Sequence, residues 1–391
     1  MAIIMKYITS FIHNRWSILP YCYMVVVVLN FSFLKAQNSI QSLKFLSQYN
    51  IPFNLSYGNT TVGGLSGIDY NPSNKQYYFV SDDRSSINPA RFYTAKIAIS
   101  PHGNIDSVVF LSVHFFKQAN GQVYPNKQAN PALVPDPENM RILPNHQLVW
   151  TSEGERIVTT NDTILCNPSI NIVDSNGGYV RQLTLPYNLH MQAVASGPRQ
   201  NGVLEGCTLA TNQPYLWVNV EEPLYQDGPR ADTGQSSSYI RFFQFPLHPQ
   251  DNDNVAQYAY LLSPVAYSAR PANAFKVNGV SDILAINSHE LLVVERSYST
   301  GRLSCTVKVF LANFAKATDV QSIGSLAQNK NFTPASKRLL LNMDSLNQYI
   351  DNIEGVCWGP TLANGHKTLL FVADNNFSPL EQQQLLLFEV E

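Results

Sequence analysis

An apolar pattern that returns five times along the chain constrains its fold more than any other feature. In each copy, a small or acidic residue opens a short apolar strand, a turn and a second apolar strand follow, and acidic residues come next. The copies are about 70 residues apart, which is the scale of one sheet module with its loops. The openings lie at Ser66, Glu138, Glu205, Asp282 and Glu354.

The segments between the copies predict how many strands each repeat contains. Two further strand-like segments follow each of the first four copies, but only "QQLLLFEVE" follows the fifth. The segment "IQSLKFLSQYNIPF" at residues 40–53 can supply the missing strand. Four strands per repeat, in a ring closed by the N-terminal strand, predict an all-β fold, a five-bladed β-propeller.

Two alternatives to this fold remain open from the sequence. A sixth, degenerate blade could lie in residues 117–135 or 157–186. A pair of β-sandwiches is the main rival, although it would not require so regular a repeat. The composition fits either all-β fold, since Tyr and Phe number 20 each and Pro and Gly number 23 and 20.

The net charge and the N-terminal segment limit the possible partners and cellular location of the protein. The formal net charge is −2, so no basic face indicates nucleic-acid binding. Residues 21–34, "YCYMVVVVLNFSFL", form an apolar run that is short for a spanning helix but typical of a signal peptide. We predict a signal peptide over residues 1–36 and a secreted, periplasmic or cell-envelope domain over 37–391. An uncleaved N-terminal anchor is the alternative, and no later stretch could span a membrane.

Four cysteines lie beyond the predicted signal peptide, at Cys166, Cys207, Cys305 and Cys357. In an oxidising compartment they allow three disulfide pairings, between which the sequence does not choose. Cys207 and Cys357 lie in strand-like runs, where buried free thiols are an equal alternative. Their spacing is not that of a zinc site.

Acidic residues follow the second strand of every copy. In a propeller these strand ends converge at one mouth of the central channel, so we expect the acids to gather there. Converging carboxylates repel one another unless cations neutralise them, and their oxygens suit Ca²⁺, Mg²⁺ or Mn²⁺. The candidate metal ligands are Asp82, Asp83, Glu153, Glu221, Glu295 and Asp374.

Arginines come directly after several of these acids, and Arg84 and Arg296 are candidate catalytic residues. An arginine offers two fixed donors to phosphate or carboxylate oxygens, so a metal with an arginine suits phosphoester hydrolysis. Glu205 or Glu354 could serve as general base. The structural alternative is that these acids and arginines only form ion pairs between blades.

Several segments together resemble the phytase-like family, which is named for the esterase-like activity of phytase. They are "GGLSGIDYNP", "YYFVSDDRS", "WTSEGE", "LLVVERS" and "NIEGVCWGP", and the resemblance covers roughly residues 43–391. It implies a secreted or periplasmic propeller with phosphoesterase activity, and propeller phytases use Ca²⁺ at an acidic channel mouth. The second copy departs from the pattern, because Asn139 follows Glu138 where glycine follows Glu205 and Glu354.

Two functions are consistent with this sequence. The first is an exported, monomeric, metal-assisted phosphoesterase or esterase that acts on a small phosphorylated or ester substrate. The second is a non-catalytic envelope propeller that binds a ligand, a glycan or a protein. The enzyme requires that the acids converge, so the placement of five side chains in one cavity would favour it: Asp82, Glu153, Glu205, Glu295 and Glu354.

Overall fold

The computed structural model describes residues 40–210, 213–234, 238–247 and 254–391. The predicted signal peptide over residues 1–36 lies outside these ranges. Residues 41–391 form one compact unit. Within the described residues, strands form five four-stranded antiparallel sheets and two short hairpins. None of the helical segments in these residues is long and apolar enough to cross a membrane.

The strands follow one another blade by blade. The chain enters through β1 (Leu43–Ile51) and a hairpin of β2 (Ser56–Tyr57) and β3 (Thr60–Thr61). Blade 1 contains β4 (Leu65–Asn71), β5 (Gln76–Ser81), β6 (Arg91–Ile99) and β7 (Ile105–Phe115). Blade 2 contains β8 (Pro137–Ile142) and β9 (Leu148–Ser152), then the inserted hairpin β10 (Glu155–Val158) and β11 (Thr163–Cys166), then β12 (Ser169–Val173) and β13 (Tyr179–Gln182).

The remaining blades repeat the plan. Blade 3 contains β14 (Leu204–Leu209), β15 (Tyr215–Val220), β16 (Tyr239–Pro246) and β17 (Ala256–Leu261). Blade 4 contains β18 (Lys276–Ala285), β19 (Glu290–Ser299), β20 (Thr306–Asn313) and β21 (Ser336–Asn342). Blade 5 contains β22 (Asn352–Trp358), β23 (Thr368–Asp374), β24 (Gln383–Val390) and β1. Short 3₁₀ turns lie at Tyr187–Leu189, Tyr225–Asp227 and Met343–Leu346.

The N-terminal strand closes the ring, as the sequence predicts. Strand β1 pairs antiparallel with β24, from Leu43 opposite Val390 to Ile51 opposite Gln383. The five-bladed propeller is therefore confirmed and the β-sandwich alternative is wrong. Of the two segments proposed for a sixth blade, residues 117–135 form the connection between blades 1 and 2, with one isolated bridge between Lys117 and Val123. Residues 157–186 belong to the inserted hairpin and the two outer strands of blade 2.

The blades are held together by side chains that are buried between adjacent sheets. All seven residues of β23 are buried, because a strand inside a propeller is covered on both of its faces. Between blades 1 and 2, the rings of Phe116 and Trp150 stack with their centroids 4.2 Å apart. The core therefore lies around the ring, between blades, and leaves the axis to polar side chains.

A buried ion pair on the axis contacts all five blades. Arg141 of blade 2 donates to the carboxylate of Asp282 in blade 4 at 2.9 Å and to the carbonyl of Cys207 in blade 3 at 2.7 Å. Its guanidinium also donates to the carbonyl of Ile68 in blade 1. The same oxygen of Asp282 also accepts from the amide of Val356 in blade 5 at 2.7 Å. These contacts fill the axis and fix the five inner strands relative to one another.

All four described cysteines are free thiols: Cys166, Cys207, Cys305 and Cys357. Cys207 lies in β14 and Cys357 in β22, and both are fully buried. This is the buried-thiol alternative from the sequence, and none of the three possible disulfide pairings is formed.

Candidate functional site

Each inner strand carries an irregularity at the same height along the axis. The pairing with the second strand shifts by one residue at this point in all five blades. Such a bulge re-aims the side chain of the extra residue. The residues at the bulges are Ser66, Glu138, Glu205, Ser281 and Glu354.

The bulge of blade 4 places its residues differently from the repeat in the sequence. The pairing shifts between Val280 and Asp282, so Ser281 is the equivalent of Glu205 and Glu354. Asp282, which the sequence assigns to this position, instead reaches the axis and binds Arg141. In blade 2, Glu138 does occupy the equivalent position although Asn139 follows it.

Glycine follows the bulge where adjacent inner strands approach most closely. A Cβ atom on Gly206 would lie 2.7 Å from the amide nitrogen of Ile283 and 2.8 Å from the Cα atom of Asp282. Real Cβ atoms do not approach a neighbouring backbone this closely, so the Glu-Gly pair reflects packing between blades 3 and 4 as well as the placement of Glu205.

The second strands supply another ring of side chains at the same mouth. Leu65, Leu204 and Val280 come immediately before their bulges and pair with Ser81, Val220 and Glu295. In each blade, the residue of the second strand that comes directly after this pair lies at the mouth end of the strand. These residues are Asp82, Glu153, Glu221, Arg296 and Asp374.

Blade 4 thus presents an arginine where the other blades present an acid. Glu295 lies one residue earlier, and a shift of one residue turns a side chain to the other face of the sheet. Its carboxylate accepts hydrogen bonds from the Tyr260 hydroxyl at 2.7 Å and from Lys337 at 2.6 Å. The structure places this candidate ligand between blades 3 and 4, outside the cavity at the mouth.

The mouth opens into a cavity of about 920 Å³. Ten acidic side chains and four arginines line it. Among the candidates from the sequence, eight lie along this cavity: Asp82, Asp83, Arg84, Glu153, Glu205, Glu221, Arg296 and Glu354. Glu295 and Asp374 do not line it.

Asp83 and Asp374 are held by local contacts. The carboxylate of Asp83 accepts from the amides of Ser86 and Asn88 at 2.8 Å and from Arg91 at 2.7 Å. Those bonds stabilise the loop after β5. Asp374 is buried just behind Glu354 and accepts from the amide of Asn376 at 2.9 Å.

Two groups of three carboxylates stand at the centre of the site. In each group, one oxygen of every residue lies within 4.8 Å of the others. The groups are Asp82, Asp136 and Glu138, and Glu138, Glu153 and Glu205. Glu138 belongs to both, so five carboxylates from blades 1, 2 and 3 form one continuous cluster, which we call the acid cluster.

The sequence reasoning missed Asp136 and left Glu138 as a departure from the pattern. Asp136 comes just before β8, at the opening of the second copy, whereas the candidate ligands from the sequence all lie at the ends of second strands. The signal was nevertheless present, since "DPE" carries two acids at a strand opening, as does "DNIE" in the fifth copy.

Burial and crowding raise the pKa of several acids in and directly behind the mouth. For Glu138 and Glu205 burial is the largest cause and neighbouring carboxylates add to it, so each pKa lies well above its usual value. Burial also raises the pKa of Glu354 to about 8 and that of Asp374 to about 7. A cluster of this kind favours protons or cations over free negative charge.

Two arginines offset part of this charge. Arg84 contacts Glu155 at 2.5 Å and Asp136 at 3.3 Å. Arg296 contacts Glu221 at 3.0 Å and Glu354 at 3.3 Å. The two guanidinium groups are thus held at the acid cluster and beside the general-base candidate, with 15% and 13% of their side chains exposed.

Fold and site together define the class of this protein: a five-bladed β-propeller with a carboxylate-rich channel mouth flanked by arginines. The family model described as phytase-like, esterase-like activity of phytase, matches residues 60–377. The chain therefore belongs to the phytase-like family, as the resemblance in its sequence implies. No curated protein matches it.

Comparison with solved structures gives weak similarity only. A tail fibre of Staphylococcus aureus phage P68 is 10% identical with a TM-score of 0.40, over 90% of this chain and 53% of the fibre, so this chain spans about half of it. A protein of unknown function from Dyadobacter fermentans is 10% identical with a TM-score of 0.38, over 90% and 100%. A Trichoderma reesei protein of carbohydrate-active enzyme family AA12 is 11% identical with a TM-score of 0.39, over 90% and 100%.

The acid cluster fits a hard divalent cation. All five of its side chains offer carboxylate oxygens, which are the donors that Ca²⁺ prefers, and their spacing allows several to reach one ion. The raised pKa values agree with this, because a cation would remove the repulsion that holds protons on the cluster.

Proposed function

We propose that this protein is an exported, monomeric, Ca²⁺-dependent hydrolase of phosphate esters that acts at the channel mouth. The observation that carries the proposal is the acid cluster, in which Glu138 joins two groups of three carboxylates. The adjacent arginines, Arg84 and Arg296, supply the positive charge that a phosphoryl group requires. Membership of the phytase-like family supports the same reaction class.

The acid cluster would hold the cation, and both of its halves contain Glu138. When bound there, Ca²⁺ would supply a Lewis acid that polarises the phosphoryl group. The protein contributes preformed ligands on rigid strand ends, which limits the reorganisation needed for binding.

The two arginines would bind the phosphoryl oxygens. Each guanidinium is oriented by two carboxylates and lies at the cavity wall, so its direction is set before substrate enters. Charge-assisted hydrogen bonds from a fixed arginine stabilise the charge on the equatorial oxygens in the transition state.

Glu354 is our choice for the group that accepts and returns a proton. Its carboxylate is held by Asn352 at 2.8 Å and by Arg296 at 3.3 Å, inside the cavity. Its pKa, raised by burial to about 8, is close to neutral pH, where proton transfer in both directions is efficient. Glu205, the other candidate, lies in the acid cluster and is assigned to the cation.

The test is phosphate release from an aryl phosphate by the protein, with Ca²⁺ and with a chelator. We expect Ca²⁺-dependent release that falls at least about 100-fold in Glu138→Gln, because both halves of the acid cluster lose a ligand. The matched control is Asp106→Asn, which removes an exposed acid on the outer strand of blade 1. Release that persists in chelator, or that Glu138→Gln leaves unchanged, would reject the cation site.

A folded protein that binds Ca²⁺ and releases no phosphate from any ester would instead support the binding propeller. Hydrolysis of carboxylic esters but not of phosphate esters would show that the protein is a carboxylic esterase.

A further inference from the structure

Exposed apolar side chains are concentrated in one part of the rim of the candidate site. Four rim side chains are largely exposed although they are aliphatic or aromatic: Ile87 (51%), Phe275 (59%), Leu303 (90%) and Leu380 (87%). They come from blades 1, 4 and 5, which are neighbours in the ring. The described rim residues of blade 3 are polar by contrast, namely Gln200, Asn201 and Arg230.

Phe377 extends this part of the rim down towards the acids. Its backbone is left-handed, with φ of +50°, which is rare for an aromatic residue and persists only where the surroundings hold it. Its ring packs so closely on Gly63 and Gly64 that a Cβ atom on either would lie within 3.0 Å of it. The amides of Phe377 and Gly64 both donate to the side chain of Asn375. The ring is thus a fixed wall of the cavity.

A pair of aromatic rings lies in blade 4. The rings of Phe275 and Tyr298 lie 6.2 Å apart and both line the cavity. Leu303 lies in the turn after β19, above the same part of the wall. Apolar side chains of blade 4 therefore line the cavity together with Arg296, interspersed with polar ones such as Arg302.

We infer that the substrate carries an apolar group, an aryl ring or an alkyl chain, on the alcohol side of its phosphate ester. This inference rests on the proposed function. The phosphate lies at the acid cluster and the arginines, and the apolar group covers the wall and rim of blades 4, 5 and 1. Covering exposed leucine and phenylalanine is favourable, whereas a polyol phosphate would leave this surface in water. Hydrolysis adds water across the P–O bond and releases phosphate and the apolar alcohol, which takes one proton.

The test compares hexyl phosphate with glycerol 3-phosphate in the presence of Ca²⁺. In the double variant Leu303→Ser, Leu380→Ser we expect KM for hexyl phosphate to rise about tenfold, equal to about 1.4 kcal/mol, with kcat nearly unchanged. Glycerol 3-phosphate should respond little. The matched control is Leu339→Ser, which removes an exposed leucine on β21, away from the cavity. Equal losses for both substrates, or none, would overturn the inference.

Binding of phosphonates separates this inference from the hydrolase itself. Hexylphosphonate and methylphosphonate have no ester bond to cleave, and both carry the same phosphonate group. The difference between their affinities in calorimetric titration of the Ca²⁺-loaded protein therefore measures the apolar surface. Tighter binding of hexylphosphonate that the double variant abolishes would support the inference even where no ester is hydrolysed. Equal binding of the two, or binding of neither, would overturn it whether or not phosphate is released.

Discussion

At the scale of the residue, Glu295 and Arg296 are adjacent in the chain but serve opposite faces of blade 4. Arg296 contacts Glu221 and Glu354 in the mouth, whereas Glu295 is buried against Lys337. We predict that Arg296→Gln lowers kcat/KM about 100-fold or more, because a fixed positive charge at the phosphoryl site is lost. Steady-state phosphate release measures this.

The neighbouring substitution is the matched comparison. Glu295→Gln should retain activity but lower the free energy of unfolding by about 1–3 kcal/mol, since Lys337 would lose its charged partner in a buried site. Urea unfolding measures this loss. A large loss of activity in Glu295→Gln, with Arg296→Gln unaffected, would reverse our assignment of the two side chains.

The residue types in the sequence do not reveal that Arg296, and not Glu295, faces the mouth. The acids after each second strand could be read from the chain, and eight of the ten candidate side chains lie along the cavity. The choice between Glu295 and Arg296, and between Ser281 and Asp282, depends on a one-residue shift at the bulge of β18. A bulge changes which face a side chain occupies without changing the apolar pattern of the strand.

At the scale of the element, the inner strands meet so closely that glycine is required beside the bulge. We predict that Gly206→Ala lowers the free energy of unfolding by about 1–3 kcal/mol, because the added methyl group would press on the backbone of blade 4. The matched control is Gly324→Ala, where a Cβ atom would meet nothing within 4 Å and φ is not left-handed. Equal stability of both variants in urea would show that β14 and β18 can move apart.

The elements themselves were predictable because each strand of a propeller is a short apolar run bounded by turn residues. The closing strand β1 could be assigned because the last repeat lacks a fourth strand, and a closed ring leaves no exposed edge. The inserted hairpin β10–β11 could not be predicted from the sequence, since its exposed, short strands carry no strong apolar pattern.

At the scale of the whole molecule, buried carboxylates in and directly behind the mouth couple folding to pH. The pKa values of Glu354 and Asp374 in the folded protein, about 8 and about 7, lie above the usual 4.5 and 3.8. The folded state thus holds protons that the unfolded state releases. By linkage, this contribution to stability is fully present below about pH 4 and is lost as the pH rises through 7 to 8. In chelator, we therefore predict that Tm falls between pH 5 and pH 8.5.

Calcium should reverse that trend, because it binds the deprotonated acid cluster and competes with protons. The rise in Tm on adding Ca²⁺ should be larger at pH 8 than at pH 5, and a concentration 100-fold above Kd corresponds to about 2.7 kcal/mol. Calorimetric unfolding of the protein and of Glu138→Gln at both pH values measures this. A rise in Tm that is equal at both pH values, or that Glu138→Gln retains, would place the stabilising ion elsewhere and leave the acids of the mouth neutralised by protons alone.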